Sequence, residues 1–146
     1  MGGKLLVSKP LLVLDTHVWI WSMNGESNRL SAQSRVAIEQ ASATGNLGVI
    51  AISVWEVGML ESKGRIRFAE PCLDWVRKAL TAPGLHLLPL TPEIAIETSR
   101  LPGVLHKDPV DRMLAATARI LGGVLVTHDH LLLEYGNQGF VSVLEA

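Results

Sequence analysis

The chain has 146 residues, the length of one ordinary domain, enough to bury a core without disulfide or metal staples. A net charge of −1 and a pI near 6.5 give no long-range pull on a polyanion, so a nucleic-acid partner must be held by local basic groups or by bridging cations. The lone cysteine, Cys72, excludes an intrachain disulfide framework and fits a reducing compartment such as the cytoplasm.

In chain order, the opening "MGGKLLVSKPLLVLD" reads as neither leader nor membrane span, because Lys9-Pro10 interrupts the apolar run and Asp15 ends it. "KPLLVLD" predicts a first strand, followed by helices over Thr16 to Asn24 and Leu30 to Thr44. "NLGVIAIS" predicts the second strand, with helices over Val54 to Ser62 and Pro71 to Ala82 behind it. "LHLLPL" is a third strand, followed by helices over Pro92 to Arg100 and Pro109 to Leu121. "GGVLVTHD" and "FVSVLE" complete the set, with His128 and His130 read as loop residues between them. Proline opens three of the helices, where its missing N–H costs nothing. Gly25, Gly45, Gly64, Gly84 and Gly122 each stand just past a helical run, where a left-handed residue ends it at low steric cost. Near-continuous apolar strands alternating with helices predict an α/β fold with a mainly parallel sheet covered on both faces. No repeat, long linker or charge block divides the chain, so residues 1–146 read as one domain.

Four acids fall where strands end or helices begin. Asp15 closes the first strand, Glu56 follows the second by a helical turn, Asp111 lies in the first turn of the helix opened by Pro109, and Asp129 follows "GVLVT". Parallel sheets gather ligands at the carboxyl ends of their strands, so acids distant in sequence are predicted to converge. Two bare carboxylates about 4 Å apart repel by roughly 4 kcal/mol at an effective dielectric near 20, so such a cluster is protonated or shares a cation. Hard Mg²⁺ or Mn²⁺, which takes oxygen ligands and keeps waters for phosphate oxygens, suits it best. Each acid alone also fits a capping role. "SVWE" is a capping-box pattern with Ser53 as N-cap and Glu56 reaching back, and Asp108 caps in "DPVD" with Asp111 favoured by the helix dipole. Capping does not explain why four such acids would share one cleft.

The stretches "LLVLDTHVWIW", "ISVWEVGML" and "HKDPVDRMLAATARILGGVLVTHDHLLLEYG" resemble the successive motifs of a PIN domain, and specifically of the VapC-type toxins of toxin–antitoxin pairs. The likeness spans nearly the whole chain, in order and at matching intervals. It implies a compact α/β/α domain and a Mg²⁺- or Mn²⁺-dependent endoribonuclease, usually dimeric and held inactive by a VapB-type antitoxin. By position it makes Asp15, Glu56, Asp111 and Asp129 the four acids of the site, Asp129 being the least certain to touch metal. Asp108 is the extra acid three residues before Asp111, and Thr127 is the hydroxyl residue two before Asp129. A hydrophobic content of 48% against 18% charged agrees with apolar surface awaiting a second copy or an antitoxin helix.

Metal-activated water attacking phosphorus in line would leave 5′-phosphate ends and need no 2′-oxygen. Lesser candidates are Arg112, able to meet a phosphate but more simply a surface salt-bridge former, and the basic run "KGRIR" from Lys63 to Arg67. Trp19, Trp21, Trp55 and Trp75 have the faces to stack on bases, yet their helical spacing beside apolar neighbours fits core or interface. "THDH" and "HKD" do not make a zinc site, since the helical ligand spacing is missing. Two other functions fit the same residues. A Mg²⁺-dependent phosphohydrolase would want a second acid where His17 stands, and a non-catalytic RNA- or protein-binding module would tolerate Asn at Asp15 or Asp111.

Overall fold

The computed structural model describes residues 10–146. The reading of the N-terminal stretch as neither leader nor span falls largely on residues 1–9, which lie outside the described residues. Among the described residues, no helix is long and apolar enough to cross a membrane.

Five parallel strands form one sheet: β1 (Leu12–Leu14), β2 (Leu47–Ile50), β3 (Leu85–Leu88), β4 (Val124–Thr127) and β5 (Ser142–Glu145), in the order β3-β2-β1-β4-β5. Seven α-helices accompany it: α1 (Thr16–Met23), α2 (Ala32–Thr44), α3 (Ala51–Ser62), α4 (Cys72–Ala79), α5 (Pro92–Ser99), α6 (Pro109–Leu121) and α7 (His130–Asn137). The central strands are buried on both faces, as their unbroken apolar runs require. One core cluster, around Leu14, Trp19, Val49, Val57 and Trp75, packs beneath α1 to α4. The other, around Val13, Leu114, Leu125, Leu132 and Tyr135, packs beneath α6 and α7. Burying a side chain of this size contributes roughly 1.5–3 kcal/mol, so two such clusters fix the sheet between its helical layers.

The chain winds outward from β1 in both directions, through β2 and β3 on one side and β4 and β5 on the other. The reversal lies between β1 and β4, paired from Leu12↔Val124 to Leu14↔Val126. A crevice opens beyond the carboxyl ends of two strands at such a reversal, and open α/β sheets place ligands there.

Three expectations are corrected. First, α3 starts at Ala51, straight out of β2 with Ile50 as its N-cap residue, so Ser53 lies inside the helix and cannot cap it. Second, α2 starts only after Ser31, whose hydroxyl accepts from Ser34 N, and Ser27–Arg29 before it forms a short 3₁₀ turn. Third, the segment after Asp129 is the helix α7 rather than loop, and His130 is its first residue.

Candidate metal centre

Asp15 leaves the end of β1 and Asp129 the end of β4, so the two acids flank the crevice. Asp15 occupies the N-cap position of α1, yet its side chain makes no capping hydrogen bond. Its Oδ2 instead accepts from the hydroxyl of Thr127 at 2.7 Å. The same Thr127 oxygen accepts from the backbone N–H of Asp129 at 3.0 Å. A fully buried threonine thus ties the two strand ends together and sets the distance between their acids. Asp129 does cap, its Oδ2 accepting from Leu132 N at 2.9 Å.

Glu56 arrives from α3. The Thr16 hydroxyl donates to Ser53 Oγ at 2.8 Å, both side chains being fully buried, and this bond clamps α1 against α3. Ser53 and Glu56 stand three apart and so share a helix face. That face turns Glu56 toward Asp15 and Thr16, which both act on its carboxyl. The capping box read in "SVWE" is therefore not formed, and Glu56 has no capping role.

Asp111 comes from the first turn of α6, which Asp108 caps by accepting from Asp111 N at 3.0 Å. With the cap supplied by Asp108, the Asp111 carboxylate is free for another partner, and it meets Nε2 of His106 at 2.6 Å. His106, Asp111 and Asp129 form the group of metal-ligating residue types whose ligand atoms all lie within 4.8 Å of one another among the described residues. His106 was absent from the candidates read in the sequence. Its only signal there is its place five residues before Asp111, inside "HKDPVD".

The proximity of these groups shows in their acidities. Burial pushes the Asp15 carboxyl up from its ordinary value, the Thr127 hydroxyl and His17 oppose it, and Asp129 adds to it. Burial likewise raises Glu56 against the Thr16 hydroxyl, with Asp15 adding. Asp111 is pushed up to about 6, chiefly by burial, against its bond to His106, with Asp108, Asp15 and Asp129 all contributing. Carboxylates that raise one another are arranged for a positive charge that the protein itself does not supply. The Asp111 and Asp129 carboxylates with the His106 imidazole beside them fit a hard or borderline divalent cation.

Arg112 is occupied elsewhere. Its Nε donates to the Thr98 carbonyl at 3.1 Å and an Nη to the Leu105 carbonyl at 3.0 Å, so it holds the segment before α6 and is not presented to a substrate. Lys63 to Arg67 lie past the end of α3, about two turns beyond Glu56. Trp19 and Trp75 pack together in the core with ring centroids 5.3 Å apart, whereas Trp21 is half-buried and Trp55 exposed. A surface groove of about 930 Å³ is lined by Glu97, Arg119, Phe140 and Ser142, among others, and touches none of the four crevice acids.

The doubly wound parallel sheet with acids at its strand ends is an α/β fold of the open, ligand-binding kind, and the chain belongs to the PIN-domain family, whose model matches residues 12–137. Among individual proteins it is similar to Ribonuclease VapC22 of Mycobacterium tuberculosis, with 36% identity over 132 residues, 90% of this chain and 97% of that protein. Its fold is also that of VapBC2 from Rickettsia felis, solved bound to a DNA fragment from the promoter, at a TM-score of 0.66 and 12% identity over 92% of this chain and 98% of the other. DNA-bound VapBC from Salmonella typhimurium matches with the same TM-score of 0.66, at 19% identity over 94% of this chain and 98% of the other.

Proposed function

We propose that this protein is a divalent-metal-dependent endoribonuclease, the VapC-type toxin of a toxin–antitoxin pair. The observation that carries the reading is the close approach of Asp111 and Asp129 beside the reversal point of the sheet, with Asp15 in electrostatic reach of both, Glu56 in reach of Asp15, and three of these four carboxyls raised. The 36% identity to a ribonuclease along nearly the full length of both chains supports the choice of RNA as substrate.

Asp15, Glu56 and Asp111 would hold Mg²⁺ or Mn²⁺, with Asp129 supporting from its capping position. The bound cation supplies two things: a lowered pKa for a water molecule, and neutralisation of charge on the attacked phosphate. The protein's part is positional. Thr127 fixes the Asp15 carboxylate, the Thr16–Ser53 bond sets α3 and with it Glu56, and Asp108 relieves Asp111 of capping. Water attacks phosphorus opposite the 3′-oxygen, which departs, leaving a 5′-phosphate. Because no 2′-oxygen takes part, a 2′-deoxy or 2′-methoxy group beside the scissile bond is tolerated.

The partners follow from surface and likeness together. Large apolar side chains such as Trp55, Leu87, Leu90, Ile96 and Val104 remain exposed among the described residues, area that a second copy and a VapB-type antitoxin helix would cover. The lone cysteine and the toxin reading both favour the cytoplasm as its compartment.

The deciding experiment incubates the antitoxin-free protein with total RNA in Mg²⁺ or EDTA, beside folded Asp15→Asn, and maps new RNA ends. Discrete 5′-phosphate ends that need both the cation and Asp15 are expected. Ends bearing 2′,3′-cyclic phosphate would overturn the mechanism, and no cleavage of any RNA with any cation would leave a binding module in its place.

A further inference from the structure

We infer that His106 is a direct ligand of the cation, through the ring nitrogen that faces Asp111, making the centre a mixed nitrogen and oxygen site that prefers Mn²⁺ over Mg²⁺. The inference rests on the metal reading above and adds to it a residue and a selectivity.

The geometry starts from the loop. Residues 100–108 connect α5 to α6 without regular structure, and a loop of that kind holds a side chain in place only if it is itself held. Here it is tied at several points. Arg112 grips the carbonyls of Thr98 and Leu105, the Tyr135 hydroxyl donates to the Pro102 carbonyl, and Leu101 and Leu105 pack onto the core beneath α6. Gly103, with φ +68°, passes so close to the Phe140 ring that a Cβ there would collide with it. These contacts deliver His106 to Asp111, with its side chain 27% exposed, so the ring is partly shielded yet reachable by an ion.

The imidazole is under-used by the protein alone. Nε2 meets Asp111 Oδ2 at 2.6 Å, while Nδ1 is buried with no hydrogen-bond partner. Two donors sharing one octahedral ion with bonds near 2.1 Å lie about 3 Å apart. The ring and carboxylate therefore need to part by only a few tenths of an ångström. Coordination uses the Nε2 lone pair of a neutral ring whose proton sits on Nδ1, so the ion takes the place that a proton holds between Nε2 and Asp111 in the metal-free protein. Asp129 completes a compact triad with them, every donor within 4.8 Å of the others. Mg²⁺ strongly favours oxygen, whereas the later divalent ions accept imidazole, so a nitrogen ligand shifts preference away from Mg²⁺.

The test loads the full-length, antitoxin-free protein with Mn²⁺ and records pulsed electron paramagnetic resonance, in which a nitrogen bonded to Mn²⁺ gives a ¹⁴N coupling that oxygen ligands lack. His106→Gln keeps an amide N–H able to bond Asp111 but removes the ring nitrogen, and His17→Gln serves as a neighbouring control; circular dichroism confirms that both fold. The wild type and His17→Gln are expected to show the ¹⁴N coupling and His106→Gln to lose it. Titration should show a fall in Mn²⁺ affinity of at least about tenfold in His106→Gln, with Mg²⁺ affinity changing far less. Bound Mn²⁺ without ¹⁴N coupling in the wild type, or a coupling that survives in His106→Gln, would overturn the ligand role alone. Failure of the wild type to bind Mn²⁺ or Mg²⁺ at all would overturn the metal reading and this inference with it.

Discussion

Thr127 holds both strand ends with a single oxygen, donating to Asp15 and accepting from the N–H of Asp129. Thr127→Val preserves shape but leaves the part-buried Asp129 N–H and the Asp15 carboxylate without this partner, so it should cost about 1–3 kcal/mol of stability. RNA cleavage should fall with it, and Thr127→Ser should restore both; denaturant melts and cleavage rates on one RNA would decide. Asp15→Asn and Asp111→Asn have the opposite stability signature. Each replaces a carboxyl whose ionised form the fold disfavours, so each should abolish cleavage while leaving the cation-free protein as stable as the wild type or more so. For Asp111→Asn the gain at neutral pH is up to about 3 kcal/mol, and a loss of stability instead would show that the carboxylate is structural. At this scale the pattern of strand ends and helix starts marks Asp15, Glu56, Asp111 and Asp129 as candidates. It hides His106, since a histidine in an irregular loop has no period to mark which way it faces.

The elements explain which patterns were readable. All five strands stand within the stretches read for them, because each is dense in aliphatic residues and bracketed on at least one side by glycine or proline. Only β1, β2 and β4 are buried, and the edge strands β3 and β5 are largely exposed. The start of α3 was misplaced because β2 passes into it with no loop residue, and "AIS" is apolar enough to continue a strand. That error also produced the false capping box at Ser53. The eight-residue α7 was missed because His128, Asp129 and His130 resemble a polar turn, although Asp129 is the cap that starts the helix. The loop from α5 to α6 yields the prediction proper to this scale. Gly103→Ala puts a side chain at positive φ and against the Phe140 ring, and should cost about 1–3 kcal/mol. Arg112→Ala releases two carbonyl contacts instead. Both should speed amide hydrogen exchange in residues 100–108 by more than in β1 and β2, whose rates rise only with the loss of global stability, and should weaken cation binding.

For the whole molecule, the crevice makes stability depend on pH in an unusual direction. Carboxylates paired with cations on a protein surface ordinarily lose stability as pH falls, because the folded state binds protons less tightly than the unfolded chain. Here Asp111 rises from 3.8 to about 6, and Asp15 and Glu56 are raised as well, so the folded state binds protons more tightly. Stability is then fully present below about pH 4 for these groups and is lost as pH climbs through 6, the Asp111 share amounting to up to about 3 kcal/mol. A divalent cation binds the ionised acids and reverses the trend, adding about 2.7 kcal/mol at a hundred times its dissociation constant. In thermal melts from pH 4 to pH 8 in EDTA, the crevice share of the melting temperature should therefore fall across the window around pH 4 to 6. Subtracting the curve of the Asp15→Asn, Asp111→Asn double variant isolates the crevice contribution. With Mn²⁺ or Mg²⁺ present, that difference should vanish or change sign above pH 6. Equal differences with and without cation would mean that the acids do not act as one charged centre, and the strand-end cluster would lose its reason to exist.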